Sequence, residues 1–281
     1  MLSNRFYSAT RAYSTLEKAV PAPYMRRAFS VDAPLKRATL TVCGLGFYRL
    51  FVNGEERTKG RLAPYISNPD HFLYYDEYDL TDALSSGDNV LGFMLGNGFQ
   101  NALGGFIWDF QKAPWRSAPK VAFCLELTDT EGRVRRIEAD EQLLCHPSPI
   151  LLDDEHIGEW YDARQEIADW CCVGLDTSDW TPAIPAELPR GERRLVDTDP
   201  IVVARELKPV RIDRGGIGAY GRPRGDVPKL PMEGVDAETQ GYLYDFGVNT
   251  AGVVRLHINA HAGQRIVLQF GEELMADGRE T

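Results

Sequence analysis

Ala38-Thr39-Leu40-Thr41-Val42-Cys43-Gly44-Leu45-Gly46-Phe47-Tyr48-Arg49-Leu50-Phe51-Val52-Asn53-Gly54 carries two strand signals and one turn signal in seventeen residues. Ala38 to Cys43 alternates apolar and polar positions, the period of a half-buried strand. After Gly44-Leu45-Gly46, the run Phe47 to Val52 is aromatic and β-branched. It ends at Asn53-Gly54, a dipeptide that tolerates positive φ and marks a tight hairpin. Outward from here the same grammar repeats. Tyr74 to Leu80 alternates, Thr81 to Leu84 reads as one helical turn, and Val90 to Leu95 reads as a buried strand closed by Gly96-Asn97-Gly98. Lys120 to Thr128 and Arg133 to Glu138 flank the turn residues Asp129 to Gly132. No amphipathic helix longer than about three turns interrupts them, and short strands at this spacing imply an antiparallel sandwich.

A chain of 281 residues exceeds the ~150 that a single domain ordinarily takes. Prolines at 182, 185, 189 and 200 and the charged run Arg190 to Arg194 mark a boundary, and Asp213 to Met232 reads as a long loop. Strands are expected again over Ile201–Ile212, Gly241–Phe246, Val253–Asn259 and Gln264–Phe270, with His261-Ala262-Gly263 as a turn. A formal net charge of -10 argues against nucleic acid and anionic membranes, which select basic faces. No apolar run approaches the ~20 residues of a spanning helix, and the first residues lack a signal-peptide pattern. The five cysteines follow no metal-ligand spacing and read as free thiols in a reducing cytoplasm.

Two stretches invite a functional reading. Leu151 to Arg164 packs Asp153, Asp154, Glu155, Glu159 and Asp162 beside Trp160 and Tyr161 without helical or strand periodicity. Carboxylates accept sugar hydroxyls, aromatic faces pack on pyranose C–H faces, and spare carboxylates could hold Ca²⁺. A solvated acidic loop is the plain alternative. Asn97 to Asn101 with Phe106 to Phe110 combines amides, glycines and aromatics in a loop at a sandwich end; loop packing explains it equally well. The candidate carbohydrate-binding residues are therefore Asn97, Asn101, Trp108, Asp153, Asp154, Glu159, Trp160 and Tyr161. No metal site and no catalytic residue is assigned.

Ala38 to Gly54, Tyr75 to Asp82, Gly87-Asp88-Asn89 and Leu95 to Phe99 together resemble the N-terminal β-sandwich of bacterial α-L-rhamnosidases. Gly158-Glu159-Trp160-Tyr161-Asp162-Ala163-Arg164 is similar to that family's Gly-Glu-x-Tyr-Asp-Ala-Arg segment. Trp170 and Asp176 to Trp180 fit its Trp…Phe-Asp-Asp-Ser-x-Trp segment. Asp245 to Gly252, followed by Gly271 to Leu274 and Asp277-Gly278, resembles the opening of the next, concanavalin-like sandwich. The resemblance implies an all-β fold: a galactose-binding-like jelly roll over 24–190 after an extension at 1–23, then a linker and part of a second sandwich over 191–281. It also implies hydrolysis of terminal α-L-rhamnose from glycosides, by acidic residues on an (α/α) barrel that this chain does not reach. The chain is then an accessory portion that supports the catalytic barrel or binds a neutral carbohydrate, and is inactive alone. A purely structural module, or the sandwich of another glycosidase family such as β-galactosidases, are the competing readings. Trp170 and Trp180 are expected to be buried. The strands of 201–270 are expected to pack on the first domain, joined by Met25 to Val31, or to pair with a second chain as a homodimer.

Overall fold

The computed structural model describes residues 2–15, 17–103, 109–216 and 240–271. Residues 1–201 form one compact unit and the rest another. The first unit opens with β1 (Phe6–Ser8), β2 (Pro23–Val31), β3 (Leu35–Leu45), β4 (Phe47–Val52), β5 (Glu55–Glu56), β6 (Phe72–Asp79) and β7 (Gly87–Gly96). It continues with β8 (Lys120–Asp129), β9 (Val134–Glu138), β10 (Leu144–Pro147), β11 (Ile150–Asp154) and β12 (Gly158–Tyr161). β13 (Thr181–Pro182), β14 (Ile184–Ala186) and β15 (Glu192–Leu195) complete it. One sheet runs β14-β1-β8-β3-β6-β15, with β9 also on β8; the other runs β13-β10-β2-β7-β4-β5. Every pairing is antiparallel except β15 with β6. Two antiparallel sheets face to face are the sandwich that the alternation implied.

Alternation places Leu40 and Val42, Leu50 and Val52, and Leu91, Phe93 and Leu95 between the sheets with Val121, Phe123 and Leu125. Phe93 and Phe123 stack across that layer at 5.1 Å. The intervening residues are also covered. Cys43, Leu45 and Ala122 pack under Leu2, Phe6 and Leu73 on one outer face, and Val90 and Met94 pack under Trp170, Cys171 and Trp180 on the other. Burial on both faces is why Val90 to Leu95 reads as a continuous apolar run. Both tryptophans are buried, as expected. Asn53 (φ 50°) and Gly54 (φ 88°) form the expected turn between β4 and β5, and Thr81–Ala83 is the expected helical turn, of the 3₁₀ type. At the β3–β4 turn, Gly46 has φ 88°, and a Cβ there would lie 2.0 Å from the Gly96 carbonyl oxygen, so only glycine fits.

Three expectations change. Residues 1–23 are more than an extension, because Tyr7 and Ser8 pair with Val121 and Lys120 while Phe6 to Ser8 pair with β14. Pro182 and Pro185 lie on β13 and β14, the end strands of their sheets, where a missing N–H costs no ladder bond. Met25 to Val31 belongs to the first unit's own sheet, paired with β7 along its length and with β10 at Met25 and Arg26.

The second unit holds an antiparallel pair, β16 (Arg211–Gly216) and β17 (Gln240–Asp245). Arg211 bridges Asp213 at 3.2 Å and Asp245 at 3.5 Å. Of the strand expected over Ile201–Ile212 only Arg211 and Ile212 are in a ladder, and Val253–Asn259 and Gln264–Phe270 are not strands although the turn at His261 forms, closed by Gln264 N–H to His261 O at 3.0 Å. Branched residues favour extended backbone, but a strand exists only where a neighbour pairs its N–H and C=O groups. Among the described residues no helix is long and apolar enough to cross a membrane.

Tyr48, Asp76 and Tyr78 form a buried polar cluster between the sheets. The Tyr48 hydroxyl donates to the Asp76 carboxylate, and the two phenols lie 3.0 Å apart. Burial holds Tyr48 well above the ordinary phenol range and pushes Tyr78 up to about 12. A folded-state value above the unfolded one means that the unfolded chain releases its proton first as pH rises. The stabilisation is therefore complete below pH 10 and is lost toward pH 12. Denaturant titrations of wild type and Tyr78→Phe are expected to diverge across this window, wild type losing up to about 1.4 kcal/mol more per pH unit. Parallel losses in the two proteins would refute it.

Candidate functional site

β11 and β12 form a hairpin that pairs Asp153 with Glu159 and Leu152 with Trp160. Its acidic residues divide into two groups. The Asp153 carboxylate accepts the Asn97 N–H at 2.5 Å, the Gly98 N–H at 3.1 Å and the Asn97 side-chain amide at 2.8 Å. The same amide donates to Val20 O at 2.8 Å. Asn101 donates to Asn97 Oδ1 at 2.9 Å and accepts the Ser14 N–H at 3.0 Å. Asp154 accepts the N–H groups of His156 at 2.8 Å, Ile157 at 3.2 Å and Leu103 at 3.1 Å. The structure thus brings together Asn97, Asn101, Asp153 and Asp154, but as a tie that fastens residues 14–20 and 97–103 to the hairpin.

Burial pushes Asp153 up, against the three donated bonds that pull it down, and Asp154 adds to the rise. Although both side chains reach solvent, hydration lost to neighbouring protein atoms and then the Asp153 charge push Glu159 up, and lost hydration, then Asp154 and Asp153, do the same to Glu155. Among the described residues no group of three or more His, Cys, Asp or Glu side chains is placed to hold a metal ion. Asp153 and Asp154 each give three of their roughly four acceptor sites to N–H groups.

The second group faces solvent. Glu159, Trp160 and Tyr161 are exposed on β12, with Trp160 41% and Tyr161 45% accessible. The Tyr161 hydroxyl donates to Glu166 Oε1 at 2.5 Å. Arg164 grips Asp162 with two bonds of 2.8 and 2.6 Å, which hold that carboxyl at about 2. Asp162 also accepts the Arg164 N–H at 3.1 Å and so caps the 3₁₀ turn Ala163–Gln165. The Asp-Ala-Arg segment therefore turns the chain from the hairpin toward Trp170. Trp108 lies outside the described residues.

A shallow surface cleft opens where the 44–47, 64–69 and 98–100 segments meet. Phe47, Tyr65, Tyr74, Phe99 and Trp115 line it, and no lining residue is charged. Sequence reasoning reached only its Gly98–Gln100 wall. Phe47 and Tyr74 read as ordinary strand residues, and Tyr65 and Trp115 are single aromatics beside Pro64 and Pro114. Aromatics next to loop prolines were the available signal.

The α-L-rhamnosidase N-terminal domain family matches residues 33–205. The bacterial α-L-rhamnosidase concanavalin-like domain matches residues 236–281. An α-L-rhamnosidase of Formosa agariphila is 30% identical over 92% of this chain, which spans 25% of that protein. One from Streptomyces avermitilis is 27% identical over 87% of this chain and 21% of its own length. The solved α-L-rhamnosidase of "Dictyoglumus thermophilum" superposes with a TM-score of 0.66 at 27% identity, covering 74% of this chain and 24% of that one. The chain spans about a quarter of the length of the curated relatives it matches.

Proposed function

The chain belongs to the bacterial α-L-rhamnosidase family, and on that premise we propose that it is the accessory β-sandwich portion of an enzyme releasing terminal α-L-rhamnose from glycosides. The observation that carries this reading is how its acidic cluster is built. Asp153 and Asp154 each accept three N–H groups, and the aromatic cleft contains no carboxylate. Glycoside hydrolysis needs two carboxyl groups facing each other across the bond, about 6.5–9.5 Å apart for inversion. The sandwich supports a catalytic domain elsewhere in the full protein, and its contact with rhamnose-containing glycosides is made by the exposed Glu159, Trp160 and Tyr161. The five cysteines, all free thiols and four of them buried, support a reducing, cytoplasmic setting.

The pure 281-residue chain is expected to show no turnover of p-nitrophenyl α-L-rhamnoside. Calorimetric titration with L-rhamnose is expected to show weak binding that Trp160→Ala removes and Ca²⁺ leaves unchanged. Turnover abolished by one carboxylate substitution would overturn the accessory role. Absence of rhamnose binding would leave the purely structural reading in its place.

A further inference from the structure

Where the β11–β12 hairpin meets the outer face of the second sheet, several polar groups have no partner. Side chains alternate along a strand, so Glu159 and Tyr161 project to the same side of β12. Their cross-strand partners Asp153 and Ile150 face the sheet. Asp153 Oδ2 lies 3.1 Å from where a Gly96 Cβ would stand, and Ile150 packs against the cluster of Tyr24, Met94 and Trp170. Register on β7 sets Tyr24 of β2 and Arg49 of β4 on either side of Met94. Tyr24, Arg49, Glu159 and Tyr161 thus border one patch, and the Arg49 charge acts on the other three.

Tyr24 is 4% exposed, its ring stacked on Trp170, yet among the described residues its hydroxyl has no hydrogen-bond partner. The buried side-chain atoms left unpaired there are the Nε atoms of Arg26, Arg27 and Arg116, so the Tyr24 hydroxyl opens to solvent at the patch. Arg49 holds Glu56 through Nε at 2.9 Å and Nη2 at 2.6 Å, which leaves both N–H groups of Nη1 free to donate. The exposed Glu159 carboxylate accepts no bond from the described residues. Tyr161, tied to Glu166, adds a half-exposed ring. An anion would accept from Arg49 but meet the charges of Glu159 and Glu166. An ammonium group would suit Glu159 but offers no acceptor to Arg49. A neutral hydroxyl both donates and accepts, and two adjacent hydroxyls serve all three free groups.

We propose that Tyr24, Arg49 and Glu159 form a subsite that reads a pair of adjacent hydroxyls on a neutral sugar ring. The sugar rests on the rhamnoside contact proposed above; the assignment of Tyr24 and Arg49 rests on this patch alone. NMR titration of the whole 281-residue chain with methyl α-L-rhamnoside tests it, beside the 2,3-O-isopropylidene derivative, which has no adjacent hydroxyl pair. The derivative is expected to bind at least about tenfold more weakly, having lost the bonds to both hydroxyls. Tyr24→Phe is expected to weaken methyl α-L-rhamnoside binding by about fivefold. Its denaturation midpoint is expected to stay at the wild-type value, since the hydroxyl has no partner in the protein to lose. Arg49→Lys keeps a cation beside Glu56 but loses the fork that frees Nη1, and is expected to weaken binding by a similar factor. Wild-type affinity in both variants, with binding lost only in Trp160→Ala, would overturn this subsite and leave the hairpin contact standing. Equal affinity for the isopropylidene derivative would overturn the adjacent-hydroxyl reading. A fall in Tyr24→Phe stability that matches its loss of binding would show that the hydroxyl serves the fold. No binding by the wild type would overturn the rhamnoside contact and the subsite together.

Discussion

Replacing Trp170 with alanine is expected to lower the free energy of unfolding by about 3–5 kcal/mol. The indole stacks on Tyr24 at 4.4 Å and meets Phe51 edge-on at 5.1 Å. With Cys171 and Trp180 it covers Val90 and Met94, so its loss opens a cavity over the outer face of the second sheet. Aromatic geometry adds to the area term, by about 0.5–1.5 kcal/mol for each such pair. Gly92 shows how closely the indole approaches β7. A Cβ there would lie 2.7 Å from Trp170 Cη2 and 2.4 Å from Cys171 Sγ. Gly92→Ala is therefore expected to destabilise the wild type clearly and the Trp170→Ala protein less, a coupling that a double-mutant cycle measures. Guanidinium titration of the four proteins is the check. A shift worth less than 1 kcal/mol for Trp170→Ala would mean that segment 163–180 is not docked on the sheet.

Local chemistry was legible and long-range partnership was not. Ala38 to Cys43 alternates because one residue of each pair enters the inter-sheet core, and Asn53-Gly54 marks its turn because few residues accept positive φ. Both facts lie within a few residues of sequence. Asp153 and Asn97 are 56 positions apart, and nothing near either one says that the carboxylate accepts a loop backbone rather than a sugar hydroxyl. Acidic residues beside aromatics read as a binding site until their partners are known. Pro182 and Pro185 misled for a related reason: proline disqualifies a central strand but suits a sheet edge, and sequence does not say which a segment will be. The 201–270 region shows the converse. Val253, Leu256, Ile258, Leu268 and Phe270 carry strand-like chemistry, yet all are exposed, because propensity alone supplies no ladder partner.

Asp153→Ala is expected to cost about 3 kcal/mol, the second large effect. It leaves the Asn97 N–H, the Gly98 N–H and one Asn97 amide proton without their acceptor. A buried donor stripped of its partner costs about 1–3 kcal/mol, and water entering beside the half-buried Asp153 relieves part of the sum. Asp153→Asn keeps the volume and one acceptor oxygen, which can take both backbone N–H groups, but turns an N–H₂ toward the Asn97 amide, so it is expected to recover only part of the loss. The consequence reaches the cleft, because Gly98, Phe99 and Gln100 form one of its walls and Asn97 is the point at which that wall is anchored. Hydrogen exchange separates this from a general loss of stability. Amides of Asn97 and Gly98 are expected to exchange at least about tenfold faster in the variant, the factor that corresponds to 1.4 kcal/mol of local opening. Leu103, whose N–H is held by Asp154 at 3.1 Å, is expected to change less. Equal acceleration at Leu103 and in the β3–β8 ladder would show that Asp153 serves the sandwich as a whole, not the loop that walls the cleft.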